Sequence, residues 1–299
     1  MARFGPVVTA MITPMRPDGS VDYPEARRLA VWLCDHGSTG LVLAGTTGEA
    51  PTLSDAEKTR LFTEVLAAVG GRAKIIANTG GNDTKHSVEL SKQAAASGVD
   101  ALLVVGPYYN KPPQAGLIEH FTAIADAVPV PLVIYNIPGR TAVNILPETI
   151  ATLSKHRRIV GVKESSGDLM QISEVIAKVP KEFDVYSGDD HLTLPILAIG
   201  GCGIVSVASH VAGDDILAMC RAHASGDTAR AAAIHQMLLP LIKALFAVTS
   251  PIPVKAAMRR FGFAPGRCRP PLCPLTPEQE QALDKALAPW SAAVPAVAR

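Results

Sequence analysis

Lys163 closes the apolar run of Ile159, Val160 and Val162 in "RRIVGVKESSG". An unpaired charge buried there would cost several kcal/mol, to order of magnitude. Two uses justify it. The ammonium can pair with Glu164 or Asp189. Alternatively, a lysine in a partly dry pocket has a lowered pKa, and its neutral amine attacks carbonyls to form a Schiff base. Other apolar runs end in groups that suit such chemistry. "GTTGE" offers Thr46 and Thr47, whose hydroxyls and backbone N–H groups can hold a carboxylate or simply cap the next helix. "YNIPGRT" offers Tyr135, a proton shuttle or a core tyrosine, and Arg140, a bidentate carboxylate partner or a surface cation. "GPYYNKPP" carries Tyr109 on a loop stiffened by two prolines, where an exposed aromatic reads as an interface element. Lys163, Tyr135, Thr46, Thr47 and Arg140 sharing one rim favours the nucleophile over the ion pair.

One fold gathers strand ends in that way. Eight short apolar runs recur, at 7–12, 41–44, 75–77, 101–105, 131–135, 159–163, 183–186 and 203–207. Several are continuous, as in parallel strands covered on both faces. Between them lie helical stretches. One ends at Gly37, and another opens with Ser54 as cap and Glu57 three residues on, a capping box. Strand and helix alternating eight times predict an α/β fold, a (β/α)₈ TIM barrel, over residues 1–225. A doubly wound open sheet lacks support, because no Gly-rich turn follows the first strand. "GGCG" at 200–203 precedes a strand and reads as a tight turn. Residues 226–299 predict a C-terminal three-helix extension. Its helices fall in 227–248, in "PVKAAMRRFG" and after Thr276 with Pro277 at the first helical position, with a frayed tail at 291–299.

Composition removes other classes. The chain has 299 residues, 48% hydrophobic, with net charge +1 and 5% aromatics. Neither nucleic acid nor an acidic membrane surface is an expected partner. No apolar run approaches the roughly 18 residues of a membrane span, and "MARFGPVVTAMITPM" is too short between its prolines for a signal peptide. Five cysteines without a CxxC pair fit a reduced, cytoplasmic setting. Cys268 and Cys273 lack the second pair a zinc site needs. The eight histidines show no ligand spacing; "GDDH" with His210 is the one metal candidate, and a solvated loop is the expected reading.

"GTTGE", "PYYNKP", "YNIPGRT" and "GVKES" resemble the 4-hydroxy-tetrahydrodipicolinate synthase family, within the pyruvate-dependent aldolases that include N-acetylneuraminate lyase. The resemblance spans essentially the full length. The arginine of "YNIPGRT" distinguishes the synthases from the lyases. The resemblance implies a (β/α)₈ barrel, a homotetramer built as a dimer of dimers, no cofactor beyond the lysine, and condensation of pyruvate with L-aspartate 4-semialdehyde on the diaminopimelate route to lysine. It implies that Lys163 forms the imine and that Tyr135 moves protons. Thr46 would relay them to Tyr109 of a neighbouring subunit. Thr47 would hold the pyruvate carboxylate, Arg140 would receive the semialdehyde carboxylate, and Gly188 and Val205 would line the pocket. A sugar-acid lyase, or a barrel without catalysis used for binding, are the competing functions. Lysine-inhibited members carry histidines and a glutamate where this chain has Asp55, Lys58 and His86; Asn82 and Tyr108 are retained. Weak inhibition by lysine is the expectation.

Overall fold

The computed structural model describes residues 2–291. Eight strands form a closed parallel barrel in chain order. They are β1 (Val7–Ala10), β2 (Gly40–Leu43), β3 (Lys74–Asn78), β4 (Ala101–Val105), β5 (Leu132–Asn136), β6 (Ile159–Glu164), β7 (Asp184–Ser187) and β8 (Gly203–Ser206). All eight expected runs are strands, and the barrel class is borne out. The predicted tail at 291–299 lies, past Ser291, outside the described residues.

Helices cover the barrel: α1 (Tyr23–Asp35), α2 (Asp55–Val69), α3 (Thr84–Ala96), α4 (Gln114–Ala127), α5 (Pro138–Thr141), α6 (Pro147–Leu153), α7 (Leu169–Lys178), α8 (Thr193–Ala198) and α9 (Ser209–Ala224). Their ends follow local chemistry. Ser54 and Glu57 make the reciprocal capping box of α2, and Gly37, in the left-handed region, turns the chain after α1. "GGCG" is a tight turn: a Cβ on Gly201 would lie 2.5 Å from the Ile196 side chain. Beyond the barrel come α10 (Thr228–Leu245), α11 (Ile252–Arg260) and α12 (Pro277–Ser291). Thr276 and Gln279 cap α12 reciprocally.

Two apolar layers result from the period-two alternation of the strands. Val8, Val42, Ile76, Leu103, Val133 and Val205 face inward and fill the barrel. Their neighbours, such as Val7, Leu41, Ile75 and Leu102, face outward into a core shared with the helices. That outer core also takes in Val254, Met258, Leu283 and Leu287 from the C-terminal helices. Those helices therefore bury their apolar faces on the barrel, at roughly 1.5–3 kcal/mol per large side chain.

Candidate active site

In a parallel barrel every strand ends at the same mouth, so β2, β4, β5, β6 and β7 deliver their following residues to one rim. Backbone bonds staple that rim together. Gly106 N donates to Tyr135 O, Ser165 N to Asn136 O and Gly188 N to Glu164 O, at 2.9, 2.8 and 2.7 Å.

Lys163 is an inward residue of β6, only 6% exposed. The barrel register sets it between Tyr135 of β5 and Tyr186 of β7. Its Nζ lies 4.0 Å from the centroid of the Tyr135 ring, a cation–π contact. Glu164, the next residue, points to the opposite face. There its carboxylate accepts from Asn136 Nδ2 at 3.1 and 3.2 Å and from Ser166 N at 2.8 Å. Burial pushes the Glu164 carboxyl up to about 7 against those bonds. Strand alternation thus rules out Glu164 as an ion-pair partner. Asp189 is also raised by burial, and the Lys163 charge opposes that rise.

Gly188 makes room for the lysine. A Cβ there would fall 1.8 Å from Ser165 Oγ and 2.8 Å from Lys163 Cε. Among the described residues Ser165 Oγ is buried without a hydrogen-bond partner, so a free hydroxyl stands beside the amine. Sequence reading missed it, because nothing distinguishes Ser165 from the serine that follows. Val205 is an inward residue of β8, buried in the barrel filling.

Thr46 and Arg140 line one cavity of about 270 Å³ with Tyr108, Asn82, Lys58 and His86. Thr47, beside Thr46, is buried. Arg140 sits on α5, a four-residue helix. Pro138 at its start presets the helical φ, and Ala142 in the left-handed region ends it. The exposed guanidinium reaches Thr249 Oγ1 at 3.5 Å.

Tyr109 is 88% exposed and has φ +76°, a left-handed conformation that costs a non-glycine residue about 1–3 kcal/mol. Its loop is tied down around it: Tyr109 N donates to Thr141 O at 3.3 Å and Asn110 Nδ2 to Asn82 O at 2.8 Å. Tyr109 is therefore held away from the buried cluster of its own chain.

One expectation is corrected. "GDDH" and His210 do not form a solvated loop. Asp190 is buried, accepting from Ser206 Oγ at 2.5 Å and from Val207 N and Ala208 N at 3.0 and 3.3 Å. His210 accepts from Ile12 N at 3.1 Å, and its other ring nitrogen donates to Val207 O at 2.9 Å. Burial lowers its pKa to about 4. Both side chains satisfy backbone groups where β1, β7 and β8 end. Among the described residues no group of three or more His, Cys, Asp or Glu is placed to hold a metal ion.

Barrel enzymes of this architecture carry their chemistry at the mouth just described, and this chain is one of them. It belongs to the dihydrodipicolinate synthetase family, whose sequence profile matches residues 3–289. It is 56% identical to the 4-hydroxy-tetrahydrodipicolinate synthase of Cyanothece sp. over 91% of this chain and 93% of that one. Among solved structures it matches a dihydrodipicolinate synthase from Bacillus anthracis with TM-score 0.94 at 44% identity, covering 96% of this chain and 99% of that chain. The synthase from Cyanidioschyzon merolae, solved with lysine bound, matches with TM-score 0.95 at 43% identity, over 98% and 99%. The resemblance drawn from the four motifs is borne out. Among the described residues no helix is long and apolar enough to cross a membrane.

Proposed function

We propose that this chain is the enzyme that condenses pyruvate with L-aspartate 4-semialdehyde to 4-hydroxy-tetrahydrodipicolinate, supplying lysine biosynthesis by the diaminopimelate route. The buried Lys163 amine, set against Tyr135 and cleared by Gly188, carries this reading within a family of such synthases. Deprotonated Lys163 attacks the pyruvate ketone carbon, and the carbinolamine loses water to leave a protonated imine. That imine is an electron sink, so a methyl proton leaves and an enamine forms. The enamine carbon bonds to the semialdehyde carbonyl carbon, whose oxygen takes up a proton. The substrate's own amine then attacks the imine carbon, closing the ring and freeing Lys163. Tyr135 and Thr46 pass the protons, Thr47 holds the pyruvate carboxylate and Arg140 the semialdehyde carboxylate, while Gly188 and Val205 shape the pocket. No cofactor takes part. The test is coupled turnover with pyruvate plus aspartate semialdehyde, beside neuraminate and deoxy-sugar acids. Turnover of a sugar acid alone would transfer the chain to the lyases.

The working unit is a cytoplasmic homotetramer, a dimer of dimers. An exposed tyrosine held in a left-handed conformation supports one contact. The apolar side chains of Leu169, Met170 and Ile199 at the surface support another. Tyr109 completes the relay of the neighbouring subunit. Mixing inactive Tyr109→Phe and inactive Lys163→Ala chains will restore part of the activity, because one site in each hybrid dimer regains both groups. Absence of rescue in proven hybrids would place Tyr109 outside the neighbour's site.

Lysine inhibits weakly. A lysine ligand needs anionic acceptors for its two ammonium groups, and Asp55 is the acid nearest the cavity residues Lys58 and His86. It is already engaged: His86 Nε2 lies 2.7 Å from one carboxylate oxygen and Lys58 Nζ 3.7 Å from the other. Burial lowers the Lys58 pKa while Asp55 holds it up, so removing Asp55 from Lys58 would oppose binding. Activity titrated with L-lysine at saturating substrates near pH 8 will fall little below millimolar lysine. Inhibition at submillimolar lysine would show that Asp55 is released to the ligand.

A further inference from the structure

The loop carrying Thr46 and Thr47 is backbone-strained at both ends. Ala44 has φ +51° and Glu49 φ +61°, both left-handed in non-glycine residues. Between them Gly48 is packed so closely that a Cβ would lie 3.1 Å from Ala44 and from Met11 O. Such a loop keeps its shape only where its surroundings over-determine it. The restraint comes from the far end of the chain. The Glu49 carboxylate is buried, with Lys255 Nζ of α11 at 2.5 Å from one oxygen and Arg269 N, 220 residues along the chain, at 2.7 Å from the other. Lys255 Nζ also donates to Arg267 O at 3.3 Å. The Arg269 side chain continues the grip. It donates to Gly19 O at 2.8 Å and to Thr52 O, and it forks onto Glu57 at 3.0 and 2.5 Å. The whole stretch from Glu49 to the capping box of α2 thus hangs on the C-terminal segment.

We infer that Glu49, Lys255 and Arg269 are positioning residues: they make the C-terminal extension the clamp that holds Thr46 and Thr47 in their substrate-binding conformation. A structural ion pair alone could have been replaced by apolar side chains without loss. This one joins a strained substrate loop to a C-terminal segment whose Thr249 also reaches Arg140 at the rim. The inference rests on the reading of Thr46 and Thr47 as pyruvate-binding residues.

The test uses full-length Glu49→Gln, Lys255→Met and Lys255→Arg, with Thr47→Ala as a control on the underlying reading. Amide hydrogen exchange over residues 44–52 reports the clamp, and half-saturation by pyruvate, read from borohydride trapping, reports its use. In Glu49→Gln and Lys255→Met, protection in that loop will drop while the barrel strands stay protected. Pyruvate half-saturation will rise about tenfold, more than kcat falls. Lys255→Arg will recover most of both. If Lys255→Met fails to fold, the near-isosteric Glu49→Gln carries the test. Folded variants with unchanged loop protection, or with loosened loops and unchanged pyruvate half-saturation, overturn the clamp. A silent Thr47→Ala beside a loosened loop would overturn the threonine reading instead.

Discussion

Sodium borohydride added with pyruvate will leave one covalent adduct per chain, on Lys163, and Lys163→Arg will leave none. The reduction fixes the imine as a stable secondary amine, so intact mass and peptide mapping read both number and place. Lys163→Arg keeps the positive charge over the Tyr135 ring but removes the amine that, in the proposed mechanism, attacks the ketone. Turnover will fall by about 10⁴-fold or more, as when a covalent nucleophile is removed from a working site. The fold is expected to survive, because arginine keeps the charge and the long aliphatic stem that Gly188 leaves room for. An adduct on another lysine would remove Lys163 from the mechanism. Circular dichroism and the melting temperature of the variant separate lost chemistry from lost fold.

Arg140→Ala will cost about 2–5 kcal/mol of transition-state stabilisation with aspartate semialdehyde, the range for a charge pair broken by truncation. At about 1.4 kcal/mol per tenfold, that is a loss of roughly 30-fold to several thousandfold in kcat/KM. The lower part of the range is expected, because the guanidinium is exposed and, among the described residues, hydrogen-bonds only Thr249. Borohydride trapping of pyruvate will be unchanged, since the proposed function assigns Arg140 to the second substrate and Lys163 to the first. Arg140→Lys will recover only part, as an ammonium cannot make the two parallel bonds of a guanidinium. Unchanged kinetics for the semialdehyde would take Arg140 out of the site and leave the sugar-acid lyases as the better reading.

Much was legible in the residues alone, because the signals are local. Apolar runs of strand length, Ser54 and Glu57 three apart, Gly37 after α1 and Thr276 before Pro277 each act within a few residues. Alternating strand and helix eight times leaves few architectures, and the barrel then places every strand end at one mouth. Lys163, Tyr135, Thr46, Thr47 and Arg140 are therefore nameable as companions from the sequence, and the four motifs point to the family.

What only the tertiary structure decided involves partners distant in sequence or a face that a residue's type does not reveal. Glu49 reads as the end of a motif, yet its carboxylate is held by Lys255 and Arg269. Asp55 reads as one of three positions that differ from lysine-inhibited members, and only the fold shows that Lys58 and His86 already engage its carboxylate. Asp190 and His210 read as a solvated loop, yet both are buried and bonded to backbone groups. The bare position of Gly188 is explained only by Lys163 and Ser165 at the end of the neighbouring strand β6. For the three polar cases the physical reason is the same. A polar side chain has the same identity in water and in a core, and the barrel's closure, which aligns eight separate registers, determines which groups lose their water and which partners replace it.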